Sequence, residues 1–202
     1  MSKTNQNLYM LPLSPDYWRQ ARASFRDLRG MVFAALMVAA CIILAKFSIP
    51  VTDGLKITFG FLARALCALV YGPIGAVVFA VAEDTMSFIL SSSGPYFPGY
   101  ALTTALGCLI YALFFYRARI TVARIFFAKL LTNLLNVFLG SLWSAILYSK
   151  GYWFYMTTSA WKNAALLIPQ TLMLVLLFQA LLPTLHRMGV IPRQVEDRIK
   201  LF

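Results

Sequence analysis

Six apolar runs, each about 15 to 29 residues long, fill most of this 202-residue chain. Short stretches dense in glycine, proline or charge divide them. In lipid every backbone N–H and C=O must find its partner within the protein, and a helix long enough to cross the bilayer meets that demand. Composition agrees: 60% of residues are hydrophobic and 12% charged, where a soluble domain has about half and a quarter. The runs cover about 31–47, 57–71, 74–90, 100–116, 120–148 and 161–182. The expected fold class is an all-α integral membrane protein, six transmembrane helices in one compact bundle, with both termini cytoplasmic. The second run is short, and the fifth exceeds a bilayer and must tilt or project.

A net charge of +11 raises nucleic acid as a partner, but charge location argues otherwise. About 11 of the 18 lysines and arginines fall in the N-terminal tail, at 117–119 and in the C-terminal tail. Six spans put these segments on one side, the positive-inside pattern. Basicity then reports topology and contact with membrane lipid, and no nucleic-acid partner is expected. The chain divides into a basic cytoplasmic tail (1–30), a membrane domain (31–183) and a second basic tail (184–202). The first 30 residues lack the pattern of a cleavable signal, so the first span is expected to direct insertion. Within that tail, Ser14-Pro15-Asp16 starts a short helix expected to lie on the membrane, with Tyr17, Trp18 and Phe25 as interfacial anchors.

Enzymatic chemistry finds no foothold. Cys41, Cys67 and Cys108 lie in apolar runs without metal-ligand spacing and read as packing residues. His186, the one histidine, reads as a surface residue past the last span. There is no phosphate-binding loop, paired-cysteine motif or nucleophile elbow, so neither a cofactor nor a metal is expected and ATP hydrolysis must come from elsewhere.

Polar residues inside the runs are costly and therefore informative. Folding the second and third runs about Gly72-Pro73 sets Arg64 level with roughly residue 81, in reach of Glu83 or Asp84. The two acids point about 100° apart, so both cannot face one partner equally. An internal ion pair is the favoured reading; the other is an acid that accepts a ligand's N–H groups. In the fifth run Lys129, Asn133, Asn136, Gly140 and Trp143 form one stripe at steps of three or four. Tyr100, Thr103, Thr104, Gly107 and Tyr111 do so in the fourth, and Trp161-Lys162-Asn163 with Gln170 in the sixth. These faces converge on an outer cavity. Above it lies Ser91 to Tyr100, whose breakers cannot continue a helix and whose three rings suggest a lid over a flat ligand. Lys46, Lys56, Lys150 and Lys162 lie near the outer side, suited to an anionic solute or to interfacial snorkelling. Ala34, Ala35, Ala39 and Ala40 form a small-residue stripe in the first run, suited to close helix contact within the bundle or with another subunit.

Several segments carry a resemblance: Ala-Lys-Phe-Ser-Ile-Pro (45–50), Leu-Lys-Ile-Thr-Phe-Gly-Phe-Leu (55–62), Tyr-Gly-Pro-Ile-Gly-Ala (71–76), Gly-Pro-Tyr-Phe-Pro-Gly-Tyr (94–100) and Leu-Trp-Ser-Ala-Ile-Leu-Tyr-Ser-Lys-Gly (142–151). Trp161-Lys162-Asn163 and Ile168-Pro169-Gln170 complete it. The chain resembles, over about 25–182, the substrate-binding S component of an energy-coupling factor (ECF) transporter, and within that class the folate-specific family. Lys46 stands where that family often carries Arg, and the first 24 residues have no counterpart in it.

The resemblance implies a binding subunit rather than an enzyme, in a prokaryotic plasma membrane. It implies folate as ligand, and as partners a transmembrane coupling subunit and two cytoplasmic ATPases. Ala35 and Ala39 would meet the coupling subunit, and the loaded subunit would topple to deliver its ligand. A pterin needs ring stacking, for which Tyr96, Tyr100, Trp143 and Trp161 are candidates. Asn133, Asn136 and Asn163 are candidates for its hydrogen-bonding edge. Lys46, Lys56 and Lys162 would lie near the glutamate tail. The loops at 50–57 and 91–100, with Pro95 and Pro98, would gate the site. The alternatives are an S component for another flat vitamin, such as riboflavin or a queuosine precursor, and a structural membrane subunit that binds no small molecule.

Overall fold

The structure is a computed structural model describing residues 14–24, 28–52, 55–90, 97–148 and 151–187, with Ile191 and Ile199. Its helices are α1 (Pro15–Ser24), α2 (Leu28–Lys46), α3 (Gly60–Leu90), α4 (Pro98–Phe115), α5 (Val122–Leu135), α6 (Ser141–Leu147) and α7 (Tyr152–Arg187). Four helical stretches are long and apolar enough to cross a membrane: Gly60–Leu90, Pro98–Phe115, Val122–Leu147 and Tyr152–Arg187. Met31–Leu44 is a shorter apolar helix.

α3 is two helical arms, not one rod. Gly72 has φ 69° and ψ −167°, and Pro73 follows it. Only glycine takes that backbone conformation without a steric penalty. A Cβ on Gly72 would also meet the Tyr116 ring at 2.9 Å. Arg64 and Glu83 prove the fold-back: 19 residues of straight helix would hold them about 28 Å apart, yet their side chains bond at 3.0 Å.

Between α2 and α3 the chain forms a hairpin rather than the simple loop expected from sequence. Strand β1 (Ser48–Thr52) pairs antiparallel with β2 (Leu55–Thr58), Ser48 opposite Thr58 and Ile49 opposite Ile57. β-Branched residues favour extended backbone. Pro50 is tolerated because both strands are edges, and the register slips between Pro50 and Thr52. The second helix therefore starts at Gly60, not Ile57.

Two further expectations change. Residues 149–159, which fall between the fifth and sixth apolar runs and are expected to be an outer loop, are from Tyr152 onward the first turns of α7, and that helix runs through Pro169 and Pro183 to Arg187. A proline removes one hydrogen bond, a loss that a helix supported by its neighbours absorbs. The fifth run bends through a π-turn, Asn136–Gly140, between α5 and α6.

The core lies where both arms of α3 meet α4, α5 and α7, around Leu69, Ala80, Ala112, Phe115, Ile125 and Phe178. Small residues let α2 approach the first arm: Ala34 and Cys41 pack on Ala63 and Cys67. Ala35 and Ala39 turn outward and are exposed. The Cys41 thiol donates to the Gly60 carbonyl at 3.3 Å.

α1 is not an interfacial float. Tyr17 is fully buried, its hydroxyl donating to the Ala112 carbonyl at 3.2 Å and its ring edge-on to Tyr116 at 5.2 Å. The amphipathic pattern marks a face without saying whether lipid or protein covers it; here Tyr116 and Ile74 cover it. Trp18 stays exposed, and Phe25 lies outside the described residues. His186, expected at the surface, is half-buried with its Nε2 enclosed and unbonded, because α7 carries it one turn past Leu182, alongside buried Leu185.

Candidate functional site

A cavity of about 60 Å³ opens among the first arm of α3, α4 and α5. Helical spacing assembles it. Thr103, Thr104 and Gly107 follow one face of α4, and Lys129 and Thr132 one face of α5 continued by Asn136 at the start of the π-turn, with Phe61 and Arg64 opposite. Thr132 donates within its own helix to the carbonyls of Ala128 and Lys129 and lies 3.3 Å from the Tyr111 hydroxyl.

Two aromatic rings lie beyond Thr103, beside the cavity and outside its lining, and are the candidates for its roof. Trp143 donates its Nε1–H to the Thr103 hydroxyl at 2.8 Å, and Thr103 itself lines the cavity. The Phe97 ring lies 5.5 Å from the Trp143 indole, tilted by 57°. Gly99 permits this closeness: a Cβ there would strike the Phe97 ring and come within 2.7 Å of the indole. Tyr100 turns toward α6, its hydroxyl 3.5 Å from that of Ser144, and meets Phe97 edge-on.

The floor carries two basic side chains. Lys129 is 5% exposed, its Nζ 4.4 Å above the Phe61 ring centroid, an attractive cation–π arrangement. Among the described residues no carboxylate lies within ion-pair distance of it. Arg64 gives two hydrogen bonds to Glu83, whose carboxylate is almost fully buried. Asp84, the neighbouring acid, is half-buried and takes no part in this fork.

The other sequence candidates divide. Asn136 lines the cavity. Asn133 is buried and spends its amide on the Asn163 backbone carbonyl at 3.1 Å, tying α5 to α7. The Asn163 amide turns back to the Ser159 carbonyl at 2.9 Å. Lys162 is half-buried on α7, whereas Trp161 is 75% exposed and points away. Pro98 opens α4 at an exposed position. Lys46 ends α2 and Lys56 sits in β2, but their side chains, like Pro95 and Tyr96 entirely, lie outside the described residues. Sequence reasoning missed Phe97 as a roof ring, weighing tyrosines above it, and gave no role to Lys129 although it shares a stripe with Asn133 and Asn136.

Sixty cubic ångströms has room for a few water molecules, well below the roughly 300 Å³ at the low end of small-molecule pockets. A flat ligand therefore needs the cavity to widen.

Comparison with known proteins follows the same line. Residues 29–190 match the family described as ECF transporter, substrate-specific component. The folate transporter FolT of Clostridium novyi (strain NT) is 30% identical over 135 residues, covering 66% of this chain and 78% of that protein. The folate transporter FolT of Leuconostoc mesenteroides is 26% identical over 132 residues, covering 62% and 69% respectively. A crystal structure of FolT bound with folic acid aligns with TM-score 0.67 at 24% identity, over 73% of this chain and 91% of that one. At that identity the likeness is one of fold.

Proposed function

The chain belongs to the substrate-specific components of ECF transporters, and we propose that it captures folate and hands it to a transport complex. One observation carries the proposal: a cavity lined by hydrogen-bonding side chains has the Trp143–Phe97 aromatic pair joined to it through Thr103, in a chain whose relatives are named folate transporters. A pterin is flat and edged with donors and acceptors, so it suits stacking rings above and amide, hydroxyl and ammonium groups below.

In this reading the two arms of α3 are separate crossings and α2 is another. The bundle then has six spans, with both termini on the cytoplasmic side of a prokaryotic plasma membrane. The site faces outward beneath the β1–β2 hairpin and the segment leading to Pro98, which together gate it. Trp143 and Phe97 stack on the pterin once they separate, with Tyr96 and Tyr100 beside them. Asn136 reads the pterin edge, while Asn133 and Asn163 hold α5 against α7 beside it. Lys46, Lys56 and Lys162 accept the glutamate tail. Ala35 and Ala39, turned outward, receive a transmembrane coupling subunit whose two ATPases supply the energy for toppling.

Titration of folic acid into the purified chain, followed by tryptophan fluorescence, tests the proposal. Saturable quenching is expected, weakened about tenfold or more in Trp143→Ala, the lower range for losing a buried aromatic anchor. A parent chain that binds riboflavin and not folic acid overturns it.

A further inference from the structure

Of the side chains that line the cavity, the ionisable basic ones are Arg64 and Lys129. Arg64 is engaged by Glu83, which does not line the cavity. Lys129 is buried with an aromatic face beneath it and no carboxylate in reach among the described residues. A buried amine with no hydrogen-bonding partner is costly to maintain for packing alone. Its N–H groups suit a ligand that presents an acceptor.

Resting on the folate reading, we infer that Lys129 sets the specificity of the cavity floor by donating to the 4-oxo oxygen of an oxidised pterin. The site then discriminates 4-oxo from 4-amino pteridines. Replacing the carbonyl oxygen by an amino group faces one donor with another, and a buried site built for a hydrogen bond rejects the analogue that cannot complete it. The neighbours fit. Thr103 and Thr104 both spend their hydroxyl protons on backbone carbonyls of their own helix, Gly99 at 3.0 Å and Tyr100 at 3.1 Å. Among the described residues Lys129 is thus an uncommitted donor at the floor, with Asn136 the other on the same wall.

The test compares folic acid with its 4-amino analogue aminopterin on the purified full chain by tryptophan quenching. The parent should bind folic acid about tenfold or more tightly than aminopterin, as expected for one buried hydrogen bond left unmade. Lys129→Met should lose that preference, weakening folic acid while leaving aminopterin within about threefold. Lys129→Arg, still a donor, should retain it. A parent that binds both equally overturns the inference, and needs no variant. So does a Lys129→Met chain, folded by its thermal transition, that keeps the parent's preference. A parent that binds neither compound overturns the folate reading itself, and this inference with it.

Discussion

Arg64 and Glu83 face each other through two parallel hydrogen bonds, Nε to Oε2 and the second nitrogen to Oε1, each 3.0 Å long. This fork geometry pins the two arms of α3 at one register, one helical turn below the hairpin. It also keeps a carboxylate buried that the bundle could not otherwise hold.

Removing one partner should cost more than removing both. Arg64→Met leaves Glu83 buried and unpaired, a loss of about 3–5 kcal/mol. The Arg64→Met, Glu83→Met double variant should recover much of it. Thermal unfolding of the parent, Arg64→Met, Glu83→Met and the double variant in one detergent measures the difference, and a double variant weaker than either single one would refute the pairing argument.

Gly72 tolerates no side chain for two separate reasons. Gly72→Ala should destabilise by about 1–3 kcal/mol from its backbone angles alone, with the Tyr116 collision added. Adding Tyr116→Ala should relieve only the collision. Full recovery in that double variant, measured by thermal unfolding, would show that φ is not strained.

Gly99→Ala should force the roof apart. The added methyl meets Trp143 and Phe97, and overpacking of this kind costs about 1–3 kcal/mol. We expect faster folic acid release in stopped-flow fluorescence, with the association rate less affected. Unchanged release would mean that the two rings do not retain the ligand.

Tyr17 should anchor α1. Tyr17→Phe loses the bond to the Ala112 carbonyl, about 1 kcal/mol, and Tyr17→Ala also loses ring packing, about 3–5 kcal/mol. Burial raises the Tyr17 phenol above its ordinary value, with Tyr116 adding to the effect. The stabilisation is therefore complete below about pH 10, where an unfolded phenol ionises. It is lost as pH rises toward the folded value. Protease cleavage of α1 at alkaline pH should increase in the parent and not in Tyr17→Phe.

Apolar run length and the Gly72-Pro73 break made the helices, and the approach of Arg64 to the acids, legible in the sequence. Periodicity could not decide between Glu83 and Asp84, because that choice turns on helix rotation finer than the 100° between neighbours. Three other features depend on surroundings that sequence does not display. The Tyr17 ring looks the same whether lipid or Tyr116 receives it. Residues 152–159 look like a loop until α7 is seen to continue through them. Lys129 looks like one more member of a stripe until the acids are found to be engaged elsewhere. Phe97 was undervalued for its lack of a polar handle, yet it is the ring in contact with Trp143.

The π-turn at Asn136–Gly140 has a further consequence. Such a turn holds one residue more than an α-turn, so everything after it is rotated by roughly 100° relative to an unbroken helix. Lys129 and Asn136 lie before or at this step, and Trp143 after it. Roof and floor are thus phased by a residue count as much as by contacts. A one-residue deletion within 136–140 would leave the span's length and hydropathy almost unchanged, yet carry the indole away from Thr103. Alignments that score only residue identity would pass over such a change, while the geometry of the pocket would not.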